Sequence, residues 1–224
     1  MRVACLFSGG KDSTYAAYVS IQRGWEIESL ITIRPQDPAS MMFHVPNLDM
    51  ASLQANAIGV PLVEESADPS EAGELDAIAR ALRRTHADGI LVGAIESDYQ
   101  HSRVNRVAQR EGFPVFAPLW RHDPRSLVSD YLRAHLSIVF SSVSAEGLDA
   151  SWLGRTWDGP AVADLLRLAA SNGIHPCGEG GEFETLVLDA PFFQTQIVVD
   201  EADRSWRGTS GEWLVRRAHL EPKT

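Results

Sequence analysis

An α/β fold is what the sequence predicts: a parallel sheet with helices on both faces, joined to a smaller α+β subdomain at the C-terminal end. Three observations predict it. Short apolar runs alternate with helically spaced segments through the first 120 residues, the first apolar run ends in a glycine-rich turn, and the texture becomes β-rich beyond Pro118-Leu119-Trp120.

The elements follow in order. Residues 3–7 form an apolar run that stops at Ser8-Gly9-Gly10, and residues 15–24 carry helical spacing up to Gly24, which reads as strand, tight loop, helix. Strands are expected at 27–33, 62–64, 90–92 and about Val115, with helices at 48–58, 71–84 and 102–111 between them. Alternation of this kind gives parallel strands, because each return to the same edge needs a helical crossover. Further on, helices are expected at 126–134 and 162–170, and strands at 136–143, 183–188, 195–200 and 213–217. The boundary is placed near residue 121, giving 1–120 as a nucleotide-binding unit and 121–224 as a substrate-handling unit.

Composition narrows the function classes. With 44% hydrophobic residues the 224-residue chain can build a core, and no apolar stretch approaches the length of a membrane span. The first residues run into the glycine turn too soon for a signal peptide, so a cytoplasmic protein is expected. Two cysteines, Cys5 and Cys177, supply neither a disulfide framework nor a four-ligand zinc site. A net charge of −10 argues against a nucleic-acid partner bound through its phosphates. All but two of the 20 basic residues are arginine, and the lysine that is not near the end of the chain, Lys11, sits in the glycine turn. There its compact charge suits phosphate oxygens.

The stretch LFSGGKDST (6–14) is not the ATPase loop G-x-x-x-x-G-K-[ST], since Cys5 and Asp12 stand where glycine and a hydroxyl are required. Peptide N–H groups of Gly9, Gly10 and Lys11 at a helix start, with the hydroxyls of Ser8 and Ser13, nevertheless make a phosphate cradle. An ordinary strand-to-helix turn capped by Asp12 or Ser13 is the plain alternative.

The whole string S-G-G-K-D-S after the first strand resembles the pyrophosphate loop of N-type ATP pyrophosphatases. Three further stretches, MMFHVPNLDMASLQANAIGVPL (41–62), GAIESDYQHSRV (93–104) and CGEGGEFETLVLDAPFF (177–193), are similar to successive signatures of the diphthine–ammonia ligase family, whose fold is adenine nucleotide alpha hydrolase-like. That resemblance implies ATP cleaved between the α and β phosphates, AMP transferred to a carboxylate of diphthine on elongation factor two, and displacement by ammonia to give diphthamide. It implies ATP and Mg2+ as cofactors, with Asp12 toward the metal. Ser8, Gly9, Gly10, Lys11, Asp12, Ser13, Gly93, Asp98, Tyr99 and Arg103 are the expected nucleotide-binding positions. Lys11, Glu179, Glu182 and Glu184 are the expected catalytic positions, and His44, Asn47, Gly180, Gly181 and Thr185 those for substrate.

Read from the residues alone, several alternatives stay open. The glutamates of E-G-G-E-F-E serve magnesium, ammonia or a cationic substrate, or form a solvated acidic turn. In an extended segment Glu182 and Glu184 would share a face. Tyr99 and Gln100 equally well cap or pack a helix. At the level of function, the competing readings are a pyrophosphate-loop ligase or amidase for another small carboxylate, a tRNA-modifying adenylating enzyme, and a nucleotide-binding protein without catalysis. No membrane partner is expected, and a homodimer is an open assembly.

Overall fold

The structure, a computed structural model, describes residues 1–36 and 46–223. Five parallel strands, β1 (Arg2–Leu6), β2 (Glu26–Pro35), β3 (Leu62–Ala67), β4 (Gly89–Leu91) and β5 (Val115–Phe116), form one sheet in the order β3-β2-β1-β4-β5. Four helices cover it: α1 (Lys11–Gln22), α2 (Met50–Ile58), α3 (Glu71–Arg83) and α4 (Asp98–Glu111).

The period-two pattern of a strand explains how both faces are buried. Val3 and Cys5 of β1 pack with Ala16 and Ala17 of α1 and with Ala55 and Ile58 of α2. Ala4, between them, packs with Ile78 and Leu82 of α3 and with Val104 and Val107 of α4. A sheet covered on both faces carries apolar residues at successive positions, which is why β1 reads as an uninterrupted run.

The chain then builds α5 (Pro124–Arg133), β6 (Ser137–Val143), a 3₁₀ turn at Ala150–Trp152, α6 (Gly159–Asn172), β7 (Phe183–Asp189), β8 (Thr195–Arg207) and β9 (Ser210–Pro222). The last four strands form an antiparallel sheet in the order β7-β6-β9-β8. Phe140, Phe183, Trp152 and Trp157 make a ring cluster beneath it, with centroids 5.0 to 6.1 Å apart. This cluster belongs to the same core as Cys5, Phe7 and Leu30, so one apolar interior spans the two sheets.

Three elements differ from the sequence expectation. Helix α4 starts at Asp98 rather than near 102, because the Ser97 hydroxyl accepts the Gln100 amide at 3.3 Å and caps the helix one turn earlier. Strands β8 and β9 are each 13 residues long, roughly twice the expected length. Residues 203–207 are exposed, so no burial pattern marks them as strand in the sequence; their pairing with β9 supplies the order instead.

Candidate active site at the switch between β1 and β4

Strand order reverses beside β1: the chain moves outward to β2 and β3, then returns to β4 on the other side. The loops leaving β1 and β4 part there, and such a parting is where open α/β sheets bind ligands. A cavity of about 240 Å³ opens at this point, bounded by Ser8, Lys11, Asp12 and Ser13 on one side and by Gly93 and Ser97 on the other. Strand β7 closes it with Phe183 and Glu184.

The glycine turn is built into this corner by long-range contacts. Gly9 has φ of 81°, in the region that favours glycine, and an added Cβ would lie 2.4 Å from Gln54 Oε1. Gln54 is fully buried, and its Nε2 donates both to the Gly9 carbonyl at 2.9 Å and to the Val187 carbonyl at 2.8 Å. The Val187 amide in turn donates to the Gly9 carbonyl at 3.0 Å. Ser8 and Ser13 are spent within the loop: their hydroxyls lie 3.2 Å apart, the Gly10 amide donates to Ser8 Oγ, and Ser13 Oγ donates to the Gly10 carbonyl. The Lys11 amide donates to Thr185 Oγ1 at 3.1 Å. Among the described residues, the next two amides of α1, those of Asp12 and Ser13, have no acceptor. Unpaired amides at a helix start carry partial positive charge into the corner. At Gly93 a Cβ would lie 2.7 Å from the Ser13 nitrogen, so glycine is what lets the β4 loop close on the helix start.

Lys11 is 3% exposed. Its Nζ donates to the Cys177 carbonyl at 2.6 Å and to Asp12 Oδ2 at 2.9 Å, 5.1 Å above the Phe183 ring. Burial favours the neutral amine most strongly, but Asp12 and its neighbours outweigh it and hold the pKa above the ordinary value. Tyr131, buried on α5, donates its hydroxyl to Asp12 Oδ1 at 2.7 Å. Both Asp12 oxygens are therefore engaged. Among the described residues no group of three His, Cys, Asp or Glu side chains converges around Asp12 to hold a metal by itself.

The three glutamates separate. Glu179 Oε2 accepts the amides of Glu96 and Ser97 at 3.1 and 3.2 Å, joining its loop to the start of α4. Glu182 accepts the His175 amide at 2.7 Å and the Gly180 amide at 2.8 Å, organises its own turn and faces a second hollow instead of the cavity. The expectation that Glu182 and Glu184 share a face fails because β7 begins only at Phe183, so strand alternation does not reach back to Glu182. Glu184 lines the cavity, where burial pushes its carboxyl up to about 7, with Asp12 and Glu179 adding to the rise and Lys11 opposing it.

The remaining expected positions are dispersed. Gly181 borders the cavity, Gly180 belongs to the Glu182 turn, and Thr185 lies behind the loop. Asp98 pairs with Arg121 at 3.0 Å; Tyr99 lies under the Arg103 guanidinium at 3.3 Å, and Arg103 pairs with Glu71. None of these three lines the cavity; Ser97, Gln100, His101 and Val104 do, at spacings of three, four and seven. Asn47 is bound at both ends of its amide to β9, donating to the Trp213 carbonyl and accepting the Val215 amide. His44 lies outside the described residues. Sequence reading missed Gln54, Tyr131 and His101; for His101, counting helical positions from the Ser97 cap is the available signal.

Cys177 is a buried thiol pushed up to about 12 by its burial. Burial also lifts Cys5 to about 12. Neither is a thiolate at neutral pH.

Comparison with known proteins supplies the family. Residues 1–115 match the diphthamide synthase N-terminal domain and residues 123–220 the diphthamide synthase C-terminal domain. A diphthine–ammonia ligase of Danio rerio is 33% identical over 91% of this chain and 88% of its own length. The Homo sapiens protein of that name is 33% identical over 91% and 84%, and the Mus musculus one 33% over 100% and 94%. Among solved structures, a predicted subunit of tRNA methyltransferase from Methanocaldococcus jannaschii is similar at 17% identity and a TM-score of 0.46, covering 85% of this chain and 98% of that one. Among the described residues no helix is long and apolar enough to cross a membrane.

Proposed function

Given that this chain belongs to the diphthamide synthase family, we propose that it is an ATP-dependent ligase joining ammonia to the carboxylate of diphthine on elongation factor two, with AMP and pyrophosphate released. The observation that carries this reading is the corner between β1 and β4. There the free amides of Asp12 and Ser13, the buried charge of Lys11 and the partly buried carboxylate of Glu184 meet in one cavity.

The parts divide by chemistry. Leu6, Ile33, Val92 and Val104 give the cavity an apolar wall suited to a nucleobase. The α1 start and Lys11 would hold the leaving pyrophosphate, whose developing charge they neutralise without reorganising. Magnesium would arrive on the triphosphate, since it keeps most of its ligands as phosphate and water oxygens. Residues 1–120 would thus bind nucleotide and 121–224 present the acceptor, with the Thr185 to Lys11 contact as the seam.

The test is incubation of the full chain with ATP, ammonium and elongation factor two bearing diphthine. Conversion of the acid to the amide by mass spectrometry, with AMP and pyrophosphate as products, is expected. ADP and phosphate, or no change in the acceptor, would overturn the reading.

A further inference from the structure

We propose that Glu184 is the catalytic residue that takes a proton from ammonium so that its nitrogen can attack the activated acceptor; this rests on the ligase reading above. The three glutamates of the motif are sorted by their hydrogen bonds. Glu182 has both oxygens bound by amides of its own turn, and Glu179 holds the two amides that lead into α4. Glu179 and Glu184 both border the cavity, and of the three only the Glu184 carboxyl takes no hydrogen bond from any described residue.

Its surroundings fit a proton acceptor. From α1 it faces Lys11 and Asp12, and from the 177–181 loop it faces Glu179. On β6 its pairing partner is the uncharged Ser142. The Tyr131 hydroxyl of α5 is turned to Asp12 as a donor. Lys11 holds its proton too firmly to serve as a base, and Cys177 is a thiol. Burial, together with Asp12 and Glu179, brings the Glu184 carboxyl to about 7, where it exchanges a proton near the working pH.

The step balances. Ammonium has no lone pair at neutral pH. One proton passes to the Glu184 carboxylate, the freed nitrogen pair forms the bond to the acyl carbon, and the bond from that carbon to the AMP oxygen breaks with its electrons on AMP. The second nitrogen proton leaves on that phosphate oxygen, giving amide and AMP.

The experiment compares wild type with Glu184→Gln in the full chain, using ammonium and then hydroxylamine, which is already a neutral nucleophile at pH 7. ATP–pyrophosphate exchange in the presence of acceptor is followed alongside. Wild-type amidation should rise with pH through about 7. In Glu184→Gln that limb should vanish and the ammonium rate fall about 10²-fold or more, while hydroxylamine restores product to within about tenfold of wild type. Unchanged ammonium-dependent rate and pH profile in the variant, or no rescue by hydroxylamine, would overturn the assignment. An exchange rate falling as far as amidation would overturn it too, by placing Glu184 in the first half-reaction. Failure of wild type to exchange pyrophosphate would refute the ligase reading itself, a separate outcome.

Discussion

Thr185 accepts the first amide of helix α1, from Lys11, at 3.1 Å across 174 residues of chain. A strand of the antiparallel sheet therefore caps a helix of the parallel one. Both residues are 3% exposed, so the amide has no water to turn to if the hydroxyl is lost. Thr185→Val should cost about 1–3 kcal/mol in thermal or denaturant unfolding and raise the KM for ATP more than it lowers kcat. Thr185→Ser, which keeps the oxygen, should recover most of both. Equal stability of the valine variant would show that the cap contributes nothing.

Lys11→Ala should abolish AMP formation and also weaken the fold. Its removal leaves Asp12 Oδ2 and the Cys177 carbonyl without their donor in a buried corner. Breaking a buried charged contact costs about 3 kcal/mol or more. Calorimetry on the variant checks the stability term, and nucleotide chromatography the activity. Wild-type AMP output would remove Lys11 from the phosphate-handling role.

Glu182→Gln should act through the loop it organises. The side chain accepts two amides with two oxygens, and a glutamine amide would set an NH₂ against one of those donors. The expected result is a loss of about 1–3 kcal/mol in unfolding free energy. Hydrogen exchange at Gly180 and His175 should rise with it. Unaltered stability and exchange, with amidation lost, would instead return Glu182 to a direct chemical role.

Stability against pH should carry the mark of Glu184. Its carboxyl titrates near 4.5 as a free side chain and about 7 in the fold, so the folded state holds the proton more tightly. The contribution is fully present below pH 4.5 and is lost as pH rises through 7, a swing of about 3 kcal/mol. Glu184→Gln, neutral throughout, should therefore be more stable than wild type at pH 8 and gain little at pH 4. A gain of the same size at both values would contradict the raised pKa.

How much of this was legible in the sequence depended on whether the determinant was local. The parallel sheet showed itself because each buried strand is a short apolar run, and the glycine turn because Gly9 and Gly93 answer backbone demands that no larger residue meets. Asp98, Tyr99 and Arg103 are expected toward nucleotide from the family resemblance, whereas in the structure they engage Arg121, Glu71 and each other while Ser97, Gln100, His101 and Val104 of the same segment line the cavity. The separate fates of Glu179, Glu182 and Glu184 were not legible, since they turn on which amides return to meet them from 96, 97 and 175. Gln54 and Tyr131 gave no signal either. Each is a polar group on an otherwise buried helix face, and its partner is set by tertiary packing alone.

The shared interior beneath the two sheets also bears on how such a chain can evolve. Phe7 and Leu30 from the first sheet and Phe140 and Phe183 from the second belong to one packed body. Gln54, Asn47 and Thr185 stitch the seam with four hydrogen bonds, each linking a residue before 60 to one after 180. The halves are consequently poor cassettes: recombining the first half of one relative with the second half of another puts mismatched side chains into the tightest part of the molecule. A lineage altering the acceptor must do so at loops and rim positions, one substitution at a time, while the seam is inherited whole.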